Sequence, residues 1–252
     1  MQYERFARVY DALMADVDYG LWANYIASFL PLAPSSVAEC ACGTGEITLR
    51  LKRMGYAVTG LDLSEEMLRV ASEKARASGL SIPFVRQDMR SLSLHKRVDA
   101  VVCACDGVNY LTSMESVRRF FESAYTALKE GGVLLFDVSS RHKLSQTLGC
   151  NTLGYDDGTL AYVWKNCYDE KNHLVEMDLS FFVKEGTRYE RFMETHVQRA
   201  HAKHELEAAL TACGFTNVRV FEAFSKAAPN EASERLQFVA EKDFPKMEGD
   251  IL

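Results

Sequence analysis

The densest chemistry in the chain is Cys42-Gly43-Thr44-Gly45, set directly after an apolar run, with Asp62 seventeen residues beyond Gly45 at the end of the next apolar run. Glycines let a backbone approach a ligand closely, and a carboxylate at the later position can accept both hydroxyls of a ribose. The pattern points to a nucleoside-bearing cofactor, with an ordinary tight strand-to-helix turn as the structural alternative. A dinucleotide site would carry Gly or Ala where the third glycine of GxGxxG falls, and Thr48 stands there instead. No GxxxxGK(S/T) run is present to cradle phosphates, and no GxSxG marks a hydrolytic serine.

A second group is Asp106, Asn109 and Tyr110, in a loop that follows another apolar run. Loops at the carboxyl ends of parallel strands face the crevice where ligands bind. Turn formation and helix capping are the alternatives for the polar members. A third group is the run Glu194 to Arg199. In an extended strand Glu194, His196 and Gln198 share one face, and Thr195, Val197 and Arg199 the other. His196 is a candidate to orient an acceptor or take its proton near neutral pH, with Glu194 holding the imidazole, while Arg199 is placed to pair with an acceptor carboxylate. A solvated strand face is the alternative.

Two Cys-x-Cys pairs, Cys40/Cys42 and Cys103/Cys105, lie in strand-like runs, where alternation would put both members of a pair on one face. Their spacing is not that of a zinc ribbon, so small core thiols and no metal are expected. The first 25 residues are rich in aromatics. Tyr3, Tyr10, Tyr19 and Trp22 are candidates to wall a pocket. Phe6, Val9, Tyr10, Leu13 and Met14 fit one face of a helix packed on the sheet or serving as a partial lid.

These groups need a scaffold with strand ends close together, and the rest of the chain supplies one. Val37 to Cys42, Ala57 to Leu61, Ile82 to Arg86, Val98 to Cys103 and Val133 to Val138 read as short covered strands. Helices alternate with them: one with Ile47, Leu51 and Met54 on a face, one opened by Ser64, and one with Thr112 and Glu115 at capping-box spacing, ended by Gly131-Gly132. Beyond Ser139, Leu160 to Tyr168, Leu174 to Val183 and Tyr189 to Val197 are joined by short turns, which favours antiparallel pairing. A helix over His204 to Cys213 and strands over Asn217 to Phe224 and Glu234 to Ala240 close the chain. The expected fold is α/β: a doubly wound, mostly parallel seven-stranded sheet with an antiparallel β-rich insertion. Residues 1–139 would form an amino-terminal cover and cofactor half, 140–200 the insertion, and 201–252 the closing helix and strands.

Composition fits a globular chain, with 48% hydrophobic and 25% charged residues. A net charge of -6 argues against broad attraction to a phosphate backbone. The start of the chain lacks the apolar core of a signal peptide, and no apolar run reaches membrane-spanning length, so a soluble cytoplasmic protein without a membrane partner is expected.

From Tyr3 to Met14, through Glu39-x-Ala41-Cys42-Gly43-Thr44-Gly45, Leu61-Asp62-Leu63-Ser64 and Gln87-Asp88-Met89-Arg90, to the closing Gly214-Phe215, the sequence resembles the class I S-adenosylmethionine-dependent methyltransferase family, in its small-molecule branch. The resemblance implies a Rossmann-like methyltransferase fold, S-adenosylmethionine as cofactor and S-adenosylhomocysteine as product. It implies that Gly43 and Gly45 pass beside the methionine part, that Asp62 holds the ribose, and that Asp88 and Met89 border the adenine. Asp88 as a helix cap and Met89 as simple core are the alternatives. Glu39, Ala41, Leu63 and Asp106 complete the expected cofactor set, and Tyr10, Asn109 and His196 are the catalytic candidates. Ala41 replaces the first glycine of the family's GxGxG and is expected in ordinary β geometry after a small local adjustment. The loop after Cys105 has no Asn/Asp-Pro-Pro-Tyr/Phe sequence and the chain no Pro-Cys pair, which implies a small-molecule acceptor rather than nucleic acid. A non-catalytic cofactor-binding regulator and an NAD-linked oxidoreductase are the competing functions.

Overall fold

Strands that are apolar on both faces can persist only between two layers of helix, and the chain arranges them so. The computed structural model describes residues 6–244. Its main sheet contains β1 (Ser36–Cys40), β2 (Ala57–Asp62), β3 (Phe84–Arg86), β4 (Val98–Cys103), β5 (Leu128–Ser139), β10 (Thr216–Glu222) and β11 (Arg235–Glu241), in the order β10-β11-β5-β4-β1-β2-β3. The five amino-terminal strands run parallel, while β11 pairs antiparallel with both β5 and β10. Strand order reverses beside β1, the place where such sheets open a crevice.

Alternation along each strand feeds two cores. Val101, Cys103, Leu134, Phe136 and Phe238 point to one face, where α5 (Met114–Ala127) brings Phe120 and Phe121 and α6 (Lys203–Ala212) brings Leu206 and Leu210. Ala100, Val102, Val133, Leu135 and Val239 point to the other, covered by Trp22 and Ile26 of α2 (Tyr19–Ala27) and Ile47 and Leu51 of α3 (Glu46–Arg53). α4 (Glu65–Ala77) starts at Ser64, whose hydroxyl accepts the Met67 N–H at 3.3 Å.

The insertion is a separate antiparallel sheet, β6-β7-β8-β9, built from Thr152–Asp156, Leu160–Asp169, Leu174–Glu185 and Arg188–Arg199. Its inward face packs Val175, Met177, Leu179 and Phe181 on Phe6, Ala7 and Met67.

Several expectations need correction. The amino-terminal segment is not one amphipathic helix but a 3-10 turn (Phe6–Arg8) followed by the four-residue α1 (Tyr10–Leu13); Tyr3 lies outside the described residues. Ser113, not Thr112, caps α5, its hydroxyl accepting the Ser116 N–H at 3.1 Å. That helix ends at Ala127, and β5 runs straight through Gly131-Gly132. β6 and a π-helical stretch, Lys143–Leu148, were not anticipated. Cys42 and Cys105 fall beyond their strands, after the left-handed Ala41 (φ 51) and at φ 57 respectively, so the one-face argument for the cysteine pairs does not apply.

Candidate active site

The crevice at the carboxyl ends of β1, β2 and β4 is built by left-handed backbone. Ala41, Gly43 and Gly45 take φ of 51, 53 and 78, and Cys105 and Asp106 take 57 and 55. Ala41 thus adopts the conformation of the glycine it replaces, not β geometry. The loop path is kept and the alanine absorbs the strain, at about 1 kcal/mol. A Cβ on Gly43 would meet nothing within 4 Å, so its bare face is open. One on Gly45 would stand 3.0 Å from the Ala71 Cβ and 3.1 Å from Leu49, so Gly45 serves close packing of α3 on α4.

Around Gly43 lies a cavity of about 30 Å³, lined by Glu39, Ala41, Gly43 and Ile47 together with Tyr10, Tyr19 and Cys105. That is the room of about one water. The Gly43 N–H donates to Asp62 Oδ2 at 2.9 Å and the Ser64 N–H to Oδ1 at 2.8 Å, which fixes the carboxylate at the end of β2. Burial raises the Asp62 pKa against those N–H groups. Glu39 is buried and accepts the hydroxyl of Thr48, itself fully buried. Burial, with the nearby Asp62 charge, pushes the Glu39 carboxyl up to about 8, so it carries a proton at neutral pH. The residue that spoils the dinucleotide pattern, Thr48, is the donor that holds Glu39.

Tyr10 and Tyr19 close the cavity from the amino-terminal segment, and burial raises both phenols. Charged groups tie this segment down. Thr44 Oγ1 donates to Asp11 Oδ1 at 2.6 Å, and Lys74 Nζ reaches both Asp11 at 2.8 Å and Glu46 at 2.6 Å. Trp22 is not in the cavity wall; it packs in the core, with the Arg235 guanidinium 5.4 Å from its ring.

Next to the cavity wall stands an ionic cluster that the sequence reading missed. Asp106 Oδ1 pairs with Arg235 at 2.8 Å, its Oδ2 accepts Gln198 Nε2 at 2.9 Å, and its N–H donates to Asp137 Oδ2 at 3.0 Å. Asp137 also pairs with Arg235. Burial works against the Arg235 charge, but the two carboxylates more than offset it and raise its pKa. The available signal was a charge inside each of two apolar strands, Asp137 in Leu134 to Val138 and Arg235 in the closing strand.

His196 and Gln198 lie on the buried face of β9, opposite Met177 and Val175. The His196 ring is 5.6 Å from Phe6 and 6.0 Å from Tyr110. Burial lowers its pKa to about 4. It is therefore neutral and weakly basic at pH 7, which argues against proton uptake by this ring near neutrality.

Four candidates have partners within the protein. Asn109, fully buried, donates to Ser139 O at 3.0 Å and Arg199 O at 2.9 Å and accepts the Ser139 N–H at 2.9 Å, joining the end of β5 to the end of β9. Its amide has no donor left for an acceptor. Asp88 caps the turn Met89–Ser91, accepts the Arg90 N–H at 2.9 Å and pairs with the Arg90 guanidinium, which lowers its pKa. Met89 packs against the main core. Arg199 pairs with Glu205 at 3.1 Å. Leu63, beside Asp62, remains 55% exposed and offers apolar surface at the crevice mouth. Among the described residues no group of three or more His, Cys, Asp or Glu is placed to hold a metal ion.

Residues 37–132 match a family model described as a methyltransferase domain. The chain is 42% identical over 243 residues to the Bacillus subtilis (strain 168) protein named "Putative methyltransferase YqeM", covering 96% of this chain and 98% of that one. It superposes with a TM-score of 0.87 and 33% identity on the crystal structure of an S-adenosylmethionine-dependent methyltransferase from Clostridium acetobutylicum ATCC 824, over 96% of this chain and 99% of the other. A shorter stretch of 103 residues, 40% of this chain and 39% of the relative, is 35% identical to glycine/sarcosine N-methyltransferase of Aphanothece halophytica.

Proposed function

Because this chain belongs to the S-adenosylmethionine-dependent methyltransferase family, we propose that Glu39, Ala41 and Gly43 hold the methionine part of its cofactor, that Asp62 holds the ribose, and that Tyr10, Asp106 and His196 face a small acceptor. The carrying observation is the fixed Asp62 carboxylate beside the bare face of Gly43. Backbone N–H groups hold the Asp62 carboxylate and leave it acceptor capacity for a ribose hydroxyl. Glu39, buried and protonated, is a carboxyl that a cationic ligand would convert to carboxylate. Leu63 offers an apolar rest for the base.

When bound, the cofactor supplies a methyl group on a sulfonium, already a good leaving group. The chain's own residues do the rest. Tyr10 and Tyr19 exclude water and present aromatic faces to a cation. Arg235 and Gln198 fix Asp106 from two separate elements, so its carboxylate needs no reorganisation to orient an acceptor. Neutral His196 orients the acceptor from the insertion side. The acceptor atom is O or N, on a small molecule. The net charge of -6 supports this over a nucleic acid, and a relative named for glycine and sarcosine agrees. In this scheme residues 1–139 and 201–252 carry the cofactor half and its closing elements, and 140–200 covers the acceptor side.

Calorimetric titration with S-adenosylhomocysteine tests the cofactor site. Asp62→Ala should bind at least tenfold more weakly, since charged hydrogen bonds to ribose contribute on the order of 1.5 to 3 kcal/mol. Unchanged affinity in a folded variant removes Asp62 from the ribose.

A further inference from the structure

Five of the seven cysteines are buried or half-buried, but Cys150 and Cys167 are exposed. The hairpin brings these two near each other. Thr152 pairs with Lys165, and one step earlier the Asn166 N–H donates to Asn151 O at 2.9 Å. There the ladder ends: the Asn151 N–H turns back to Leu148 O at 2.8 Å, so Cys150 lies in the turn that enters β6, next to Asn151, while Cys167 follows Asn166 in β7.

A second contact brings the Cys150 sulfur to β7. The Tyr168 N–H donates to Cys150 Sγ at 3.4 Å. A regular ladder would give that N–H to the Gly149 carbonyl, but Gly149 has φ 46 and leaves the strand path. The sulfur thus lies beside the peptide that joins Cys167 to Tyr168. Odd-numbered residues of β7 point away from the packed face, as the exposure of Val163 and Cys167 shows, so the pair is open to solvent.

We propose that Cys150 and Cys167 are a redox-modification site that closes to a disulfide by exchange with a small-molecule disulfide. One thiol, losing its proton, attacks a sulfur of the small disulfide and expels one small thiol. The second thiolate then attacks the protein sulfur of this mixed disulfide and expels the other. Two cysteines are oxidised, one small disulfide is reduced to two thiols, and both displaced thiolates take up the released protons. The bridge pins the end of the segment between β5 and β6 to β7. That segment carries Leu144 and Leu148 into the core beneath the insertion sheet and begins at Ser139, which Asn109 grips. Oxidation would stiffen the connection between the two sheets without touching the cofactor cavity.

Exposure of the folded protein to oxidised glutathione, followed by alkylation and mass spectrometry, tests this. The expected product has lost about 2 Da, shows a peptide linking Cys150 to Cys167, keeps no glutathione and reverts with dithiothreitol. Cys150→Ser and Cys167→Ser should each instead retain one glutathione on the remaining partner. Wild-type protein carrying glutathione on both cysteines without a link, a link to any other cysteine, or two thiols that stay alkylatable would each overturn the proposal.

Discussion

The two sheets place their chemistry differently. In the main sheet the strands themselves are core, and the working groups stand just past the carboxyl ends: Gly43 after β1, Asp62 ending β2, Asp106 after β4. In the insertion the polar groups sit inside a strand, with His196 and Gln198 buried on the packed face of β9. Parallel strands buried on both faces admit such residues only where a buried partner holds them, as Thr48 holds Glu39 and Arg235 holds Asp137, whereas an antiparallel sheet with one packed face can turn alternate polar side chains inward. On the proposed reading the main sheet is a fixed cofactor frame, and the insertion a face whose polar content can change with the acceptor.

The sharpest way to break this division is at the joint. Asn109→Ala leaves the Ser139 and Arg199 carbonyls and the Ser139 N–H without the amide that bridges them. Urea unfolding should show a loss of about 3 kcal/mol. A loss below about 1 kcal/mol would mean that the sheets are held together by apolar packing alone.

His196→Ala separates the two halves functionally. Cofactor affinity should hold, while methyl-transfer efficiency toward the acceptor falls at least tenfold, about 1.4 kcal/mol of transition-state stabilisation. Equal efficiencies in two folded proteins would leave the insertion a cover and nothing more. Because His196 titrates near 4, the rate at pH 6 to 8 should not follow an imidazole.

On the cofactor side the matching group is Glu39. With its carboxyl raised to about 8, S-adenosylhomocysteine binding at pH 7 should release close to one proton, read from calorimetry in buffers of different ionisation enthalpy. Glu39→Gln should abolish the release. The sign for the unliganded protein follows: the folded state holds a proton that the unfolded chain loses near pH 4.5. This group's contribution to stability is full below that pH and is lost as pH rises through about 8. A proton count of zero at pH 7 would show that Glu39 does not change its ionisation on binding.

The smallest effect belongs to Ala41. Ala41→Gly relieves the left-handed alanine but adds backbone entropy to the unfolded chain, for a net gain of about 0.5 kcal/mol in thermal unfolding. A destabilised variant would show that the Ala41 methyl packs better than its strain costs.

The frame was legible and the joint was not. Glycine spacing, Asp62 and apolar runs bounded by turns gave the five parallel strands, because local pattern and global position agree there. The partners of Asn109 and Arg199 were not legible, because a polar residue in a crevice loop or on a strand face has two uses and Ser139 and Glu205 lie far from them or on another element. The turn-capping role of Asp88 was legible, because its partner Arg90 is local. β6 was hidden because all five of its residues are exposed, so it carries no alternation of burial. The Asp106–Arg235–Asp137 cluster was missed because its members come from three separate elements, and charges inside strands show a site only once the strands are ordered.

The tie of Asp11 to Thr44 and Lys74 has a kinetic consequence. With Tyr10 and Tyr19 in place the cavity of about 30 Å³ is too small for the methionine part of the cofactor, so on the proposed reading the amino-terminal segment lifts before the cofactor enters. The observed rate of cofactor association should then climb with concentration only until it meets the rate of lifting, and level off there. Added salt weakens the Asp11–Lys74 attraction, whose side chains are 41% and 24% exposed, and so raises that plateau. Cofactor turnover is thereby coupled to ionic strength through a pair of charges that touch neither substrate.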